Sequence, residues 1–62
     1  MTAFKIVTNQ TTGRNTYYLD CVRVSKEKFY NIEKLCQIKG MNYNSSLSLR
    51  HKNKIYDFYY YN

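Results

Sequence analysis

Residues able to carry out acid–base or nucleophilic chemistry are few in this 62-residue chain, and they stand far apart. The single histidine, His51, lies between basic neighbours and has no adjacent carboxylate to orient it. No two acidic residues stand at a catalytic-motif spacing, and no glycine-rich loop is present to cradle a phosphate. The acidic residues are Asp20, Glu27, Glu33 and Asp57. We therefore expect a protein that is not an enzyme, with no catalytic residues and no cofactor.

The cysteines do not suggest a metal site. Cys21 and Cys36 are the two cysteines, and with one histidine they cannot supply the four protein ligands of a structural zinc site. Each is predicted to be a small, buried hydrophobic side chain. A disulfide between them is the alternative in an oxidising compartment.

The chain is strongly basic, with ten Lys and Arg against four Asp and Glu and a net charge of +6. The excess is spread along the chain, and the one dense cluster lies in segment 50–54. There Arg50, Lys52 and Lys54 share a predicted hairpin tip. Basic side chains at such a tip bind phosphates and gain affinity by releasing counterions. The alternative interpretation is a charged tip that only keeps the protein in solution.

Tyrosine is the second conspicuous residue, with eight copies. Strand alternation predicts that three tyrosines lie on the sheet face away from the helix, beside Lys5 and Arg50. These are Tyr18, Tyr59 and Tyr61. Aromatic rings among basic groups stack with single-stranded bases and hold the backbone, and they also serve as hot spots for protein partners. The alternative is that the tyrosines fill a small core in a chain of skewed composition.

Hydrophobic periodicity predicts two hairpins joined by one helix. The helix begins after the N-cap Ser25 and ends at Gly40 in a Schellman-type stop that returns Met41 to Cys36. The predicted strands are 3–8, 16–24, 46–50 and 55–61, and the predicted helix is 26–39.

Each predicted element has one apolar side. On the sheet, the residues expected to face the helix are Phe4, Ile6, Leu19, Cys21, Leu47, Leu49 and Phe58. On the helix, the expected core residues are Phe29, Ile32, Leu35 and Cys36, with Lys26, Tyr30, Glu33, Lys34 and Gln37 on the far side. One apolar stripe and one apolar sheet face can bury each other.

The predicted fold is therefore a small two-layer α+β domain of order β-β-α-β-β, with one helix on a mostly antiparallel four-stranded sheet. It forms a single compact domain over residues 1–62. A chain of this size has a thin core, which favours oligomers. The pattern leaves open whether the hairpins pair within one chain or across a homodimer.

Codon composition adds a hypothesis on origin. Phe, Tyr, Met, Ile, Asn and Lys, which have AT-rich codons, make up 31 of the 62 residues, as in a small phage, viral or mobile-element product. The leading interpretation is a non-catalytic protein, such as an inhibitor, that occupies a host protein or ribonucleoprotein surface in nucleic-acid machinery or defence. The first alternative is a regulator that binds DNA or RNA directly through the basic, Tyr-rich surface. A structural or homo-oligomeric virion component is the third.

The apolar runs are too short for a signal peptide or a membrane span. We therefore expect no membrane association and a cytoplasmic location, which would be the host cytoplasm for a phage or viral protein. No stretch matches an RNA-recognition signature, a helix-turn-helix, a KH loop or a zinc finger. The expected partner surface consequently rests on charge and aromatic placement.

Overall fold

The structure is a computed structural model that describes residues 2–62, apart from the side chain of Ser46. Over these residues it contains one helix and five strands, so the α+β class is confirmed. The predicted four-stranded β-β-α-β-β layout is wrong, because a further strand precedes the helix. The elements are β1 Thr2–Asn9, β2 Asn15–Leu19, β3 Val22–Val24, α1 Lys26–Ile38, β4 Tyr43–His51 and β5 Lys54–Tyr61.

The five strands form one sheet in the order β3-β2-β1-β5-β4, and every neighbouring pair is antiparallel. The first and last strands, β1 and β5, lie side by side at its centre and pair from Thr2 opposite Tyr61 to Asn9 opposite Lys54. This pairing joins the N-terminal and C-terminal hairpins within one chain, which the sequence pattern left open.

The predicted second strand, 16–24, is divided by a tight turn. Asp20 and Cys21 have φ values of 48° and 69°, so the chain reverses and Leu19 pairs with Val22. Aspartate tolerates the left-handed conformation, and two positive φ values are typical of a two-residue hairpin turn. Asp20 also bonds to β1: its Oδ1 accepts from the Ala3 N–H at 2.9 Å, and its own N–H donates to the Ala3 carbonyl at 2.9 Å.

This turn also corrects the prediction for one cysteine. Cys21 is exposed at the turn rather than buried, whereas Cys36 is buried as predicted. Both thiols are free, so the alternative of a disulfide between them does not hold in this structure.

Both predicted helix caps are confirmed. The Ser25 side chain accepts from the Lys28 N–H at 3.2 Å. At the other end, the Gly40 N–H donates to the Gln37 carbonyl at 3.0 Å and the Met41 N–H donates to the Cys36 carbonyl at 3.1 Å. These are the two bonds of a Schellman stop, and Gly40 takes the positive φ of 72° that the motif requires.

The core is a small aromatic cluster between the helix and one face of the sheet. Phe4 and Phe29 are almost completely buried and meet edge to face, with ring centroids 5.2 Å apart. The buried apolar residues are Phe4, Tyr17, Phe29, Cys36 and Tyr61. Leu35, predicted to be a core residue, is 50% exposed. Helix residues Glu33 and Gln37, predicted to lie on the far side, instead bond to Tyr61.

The helix α1, in the described part of the chain, does not have the length and apolar character needed to cross a membrane.

Candidate functional site

The helix covers one face of the sheet and leaves the opposite face uncovered. Phe4, Tyr17 and Tyr61 point toward Phe29 and the helix, so the alternate strand positions point away from it. We call this second surface the open face. Its residues are Ala3, Lys5, Val7, Asn9, Thr16, Tyr18, Arg23, Asn44, Leu47, Leu49, His51, Lys54, Tyr56, Phe58 and Tyr60.

One row of directly opposed residues crosses all five strands of the open face. Its order is Arg23 on β3, Tyr18 on β2, Lys5 on β1, Phe58 on β5 and Leu47 on β4. The Lys5 Nζ atom lies 4.2 Å from the centroid of the Tyr18 ring, a cation–π contact. Since adjacent strands are about 4.8 Å apart, the row is about 19 Å long. Cationic and aromatic side chains alternate along its first four positions.

Two shorter rows enlarge the aromatic surface. Val7 lies opposite Tyr56, which lies opposite Leu49, and Ala3 lies opposite Tyr60. The four open-face rings are half-buried, so part of each faces solvent. These rings are Tyr18, Tyr56, Phe58 and Tyr60. Toward the β4 edge the surface becomes aliphatic, with Leu47 and Leu49 50% and 48% exposed.

The charge on the open face has one sign. Its strand positions carry Lys5, Arg23 and Lys54 and no acidic side chain. Asp57 lies on the helix side, where it accepts from the Ser48 hydroxyl at 2.8 Å. The remaining acidic residues lie in the β2–β3 turn and on α1. The open face is therefore suited to an anionic ligand with planar groups.

Two loops are joined by hydrogen bonds at one end of the open face. The Gln10 N–H donates to the Asn53 carbonyl at 2.7 Å, and the Asn53 Nδ2 donates to Thr11 Oγ1 at 2.8 Å. These bonds join the β1–β2 loop to the β4–β5 turn. In that turn the left-handed residue is Lys52, with φ 56°.

The joined loops bring Arg14 close to Lys54, and we call this region the basic end. A concavity of about 560 Å³ opens there. It is lined by Val7, Asn9, Thr12, Arg14, Thr16, Tyr18 and Lys54.

The structure brings together three of the predicted site residues and separates the others. Lys5 and Tyr18 lie on the open face, as predicted, and Lys54, predicted only at the hairpin tip, lies there as well. Lys52 is exposed in the adjoining turn. Arg50 is on the helix side, opposite Ile55, so the predicted basic tip is divided between the two faces.

The predicted positions of Tyr59 and Tyr61 on the open face are wrong. Tyr59 stacks on Phe4 with ring centroids 5.2 Å apart, and Tyr61 is 4% exposed in the core. The Tyr61 hydroxyl donates to Glu33 Oε2 at 3.1 Å and accepts from Gln37 Nε2 at 3.2 Å. A buried tyrosine is stable when its hydroxyl has such partners, and this polar contact favours the observed orientation of β5.

The observed orientation of β5 also corrects the predictions for the residues that alternate with Tyr59 and Tyr61 and for their partners on β4. When Tyr59 and Tyr61 face the helix, Phe58 must face away. Leu47 lies opposite Phe58 and Leu49 lies opposite Tyr56, so both leucines are on the open face. Tyr56 and Tyr60 lie there as well.

The tyrosines on the helix side have perturbed ionisation. Burial raises the pKa of Tyr61, and nearby Glu33 adds to this rise while the Gln37 hydrogen bond opposes it. Burial followed by the Glu33 charge also raises the pKa of Tyr59. Burial, with Tyr17 beside it, raises the pKa of Tyr30. The raised pKa values keep these three hydroxyls protonated further into the alkaline range than an unperturbed tyrosine.

Comparisons with protein-family models, with curated proteins and with solved structures found no match. Any proposal for the function must therefore be argued from the geometry of the open face. Among residues 2–62, no three His, Cys, Asp or Glu side chains come together as a metal-binding group.

The sequence pattern does not identify several residues of the open face and its basic end. Arg14 and Arg23 stand alone in sequence, and no local pattern marks them. Tyr56, Phe58 and Tyr60 alternate with Tyr59 and Tyr61, so a prediction that turns the latter pair outward places the former three on the helix side. One signal was available for the β2–β3 turn. In a single strand over 16–24, Leu19 would lie on one face and Val22 and Val24 on the other, so one sheet face could not bury all three. A reversal at Asp20 places them on the same face.

Proposed function

We propose that this chain is a non-catalytic protein that binds single-stranded nucleic acid on the open face. The observation that carries the proposal is the cross-strand row in which Arg23, Tyr18, Lys5 and Phe58 follow one another. Aromatic rings provide stacking surfaces for bases, and the cations between them attract the phosphate backbone. This arrangement needs no base-specific hydrogen bond, so the expected sequence preference is weak.

The geometry favours single strands over duplexes. In a duplex the flat faces of the bases are stacked on one another, so protein rings cannot reach them without unstacking the helix. The aromatic surface is a broad sheet face, whereas duplex readers insert a helix or a narrow two-stranded ribbon into the major groove. A duplex would gain only the electrostatic contacts of the open face, while a single strand would gain stacking as well.

Fluorescence anisotropy with a labelled oligothymidylate and a duplex of equal length tests the proposal. We expect tighter binding of the single strand at every salt concentration. The affinity should fall with rising salt, with a log–log slope of about −0.7 for each phosphate contacted. Failure to bind the single strand, or tighter binding of the duplex, would reject the proposed function.

A second candidate function is the occupation of a host protein surface by the same face. Leu47 and Leu49 favour it, because they form an exposed aliphatic area on the edge strand β4. Such an area would not contribute to phosphate binding. Tyrosine and arginine nearby would act as hot spots. This candidate retains the interpretation of a phage or viral inhibitor. It predicts that Leu47→Ser with Leu49→Ser abolishes capture of a stoichiometric host protein.

A further inference from the structure

We infer that the concavity at the basic end is the anchoring subsite for one nucleotide of the bound single strand. In this subsite Arg14 and Lys54 hold a phosphate, and the base lies against Tyr18. The inference rests on the proposed function, and it names the place on the open face where the strand is held most tightly.

The lining residues provide both parts of such a site. Val7 and Tyr18 come from neighbouring central strands and give an apolar and aromatic floor. Thr12, Arg14 and Lys54 stand around it and supply hydroxyl and cationic donors. None of the lining residues is acidic. The volume of about 560 Å³ lies within the usual range of small-ligand sites, which suits one nucleotide unit.

Hydrogen bonds within the β1–β2 loop hold the subsite in shape without a ligand. Asn9 Oδ1 accepts from the N–H groups of Thr11 and Thr12, at 2.9 and 3.3 Å. Thr12 Oγ1 in turn accepts from the Arg14 N–H at 3.3 Å. Gly13 supplies a positive φ of 73° between them. The backbone that carries Arg14 is therefore already ordered, which lowers the entropy cost of binding.

Lys54, the second cation of the subsite, is positioned by hydrogen bonds between the two loops. Asn53 precedes Lys54 and bonds to both Gln10 and Thr11. The β1–β2 loop and the β4–β5 turn consequently keep Arg14 and Lys54 on the same concavity, although the two residues are far apart in sequence. A phosphate placed between them would contact two cations at once, whereas the cations of the central row are each flanked by apolar or aromatic residues.

Paired charge-neutralising variants test this subsite. Arg14→Gln with Lys54→Gln removes the two cations of the subsite. Lys28→Gln with Lys34→Gln removes two exposed cations of α1, on the other side of the sheet, and serves as the matched control. Both double variants carry the same net charge. The probe is labelled oligothymidylate, measured across a salt series, and circular dichroism confirms that each variant is folded.

We expect the subsite variant to lose at least tenfold in affinity at low salt. Its salt slope should shrink by about 1.4, because two phosphate contacts are lost at about 0.7 each. The helix variant should keep the wild-type slope. Equal losses in the two variants would overturn the subsite and leave single-strand binding intact. Failure of the wild-type chain to bind oligothymidylate would instead remove the proposed function, and the subsite with it.

Discussion

The ammonium group of Lys5 lies 4.2 Å from the ring centroid of Tyr18, on neighbouring central strands of the open face. The two residues are directly opposed in the antiparallel ladder, so the contact follows from strand register. It keeps a cation and an aromatic ring together at the surface. Part of the order needed to bind a base and its phosphate is therefore present before a ligand arrives.

This contact should stabilise the fold measurably. Lys5→Met keeps the aliphatic part of the side chain and removes the charge, while Tyr18→Leu removes the ring. We expect a coupling energy of about 0.5–1 kcal/mol between the two substitutions in a double-mutant cycle, which is typical of a surface cation–π pair. Urea unfolding, monitored by circular dichroism, measures the free energy of unfolding of the wild type, the two single variants and the double variant. Strictly additive effects would show that the pair contributes nothing.

Loss of an open-face ring should weaken single-strand binding. Tyr18→Ala or Phe58→Ala removes one stacking surface, and each stacked base contributes about 1–3 kcal/mol. The dissociation constant for oligothymidylate should therefore rise by about five- to 150-fold. Tyr43→Ala is the control, because Tyr43 is 56% exposed but lies on the helix side, opposite Tyr61. An equal loss in the control would mean that tyrosine content, and not the open face, determines the affinity.

The β2–β3 turn contains backbone strain that one substitution should relieve. Cys21 is exposed and has φ 69°, a conformation that is unfavourable for residues with a Cβ atom. Cys21→Gly should raise the free energy of unfolding by about 0.5–1 kcal/mol, after allowance for the greater freedom of glycine in the unfolded chain.

The comparison for this turn is Gly40→Ala at the end of α1. No atom lies within 4 Å of the added Cβ, so only the positive φ of 72° opposes it, and stability should fall by about 1 kcal/mol. Thermal unfolding of both variants shows whether each substitution raises or lowers the stability of the fold. A loss of stability in Cys21→Gly would contradict the assigned turn.

The buried tyrosines should make the fold sensitive to alkali. In the unfolded chain Tyr61 ionises near pH 10.0, whereas burial raises its pKa in the fold. Above pH 10 the unfolded state therefore binds fewer protons than the folded state. The contribution of these tyrosines to stability is constant below that pH and falls above it, by up to about 1.4 kcal/mol per pH unit for each such tyrosine.

Tyr61→Phe should make this decline less steep between pH 10 and 12. Tyr59 remains in the variant, and its raised pKa preserves part of the effect. Urea unfolding at a series of pH values measures the slopes. Identical slopes for the wild type and the variant would show that Tyr61 does not contribute to the alkaline loss.

The parts of the fold set by local chemistry could be predicted from sequence. The helix is one example: Ser25 and Gly40 mark its ends because each satisfies backbone groups that a helix leaves unpaired. The existence of β1 and of the C-terminal hairpin is another, since both have clear alternation or a polar turn. These features depend on residues within a few positions of one another.

The face of β5 could not be predicted, because Tyr56, Phe58, Tyr59, Tyr60 and Tyr61 place aromatic residues on both sides of the strand. Either orientation buries rings, so the hydrophobic pattern does not choose between them. Contacts distant in sequence decide it, through the pairing of Tyr59 with Phe4 and the bonds from Tyr61 to the helix. Hence the sequence predicts an aromatic open face, but two of its three predicted tyrosines, Tyr59 and Tyr61, lie on the helix side instead.

The most direct test of the open face is to map amide chemical shifts by NMR during titration with oligothymidylate. We expect the largest changes at open-face positions of β1, β2 and β5, including Lys5, Tyr18 and Phe58. The exposed side of α1, represented by Lys34, should change little. Changes concentrated on α1, or none at saturating oligonucleotide, would contradict the claim that this sheet face binds single-stranded nucleic acid.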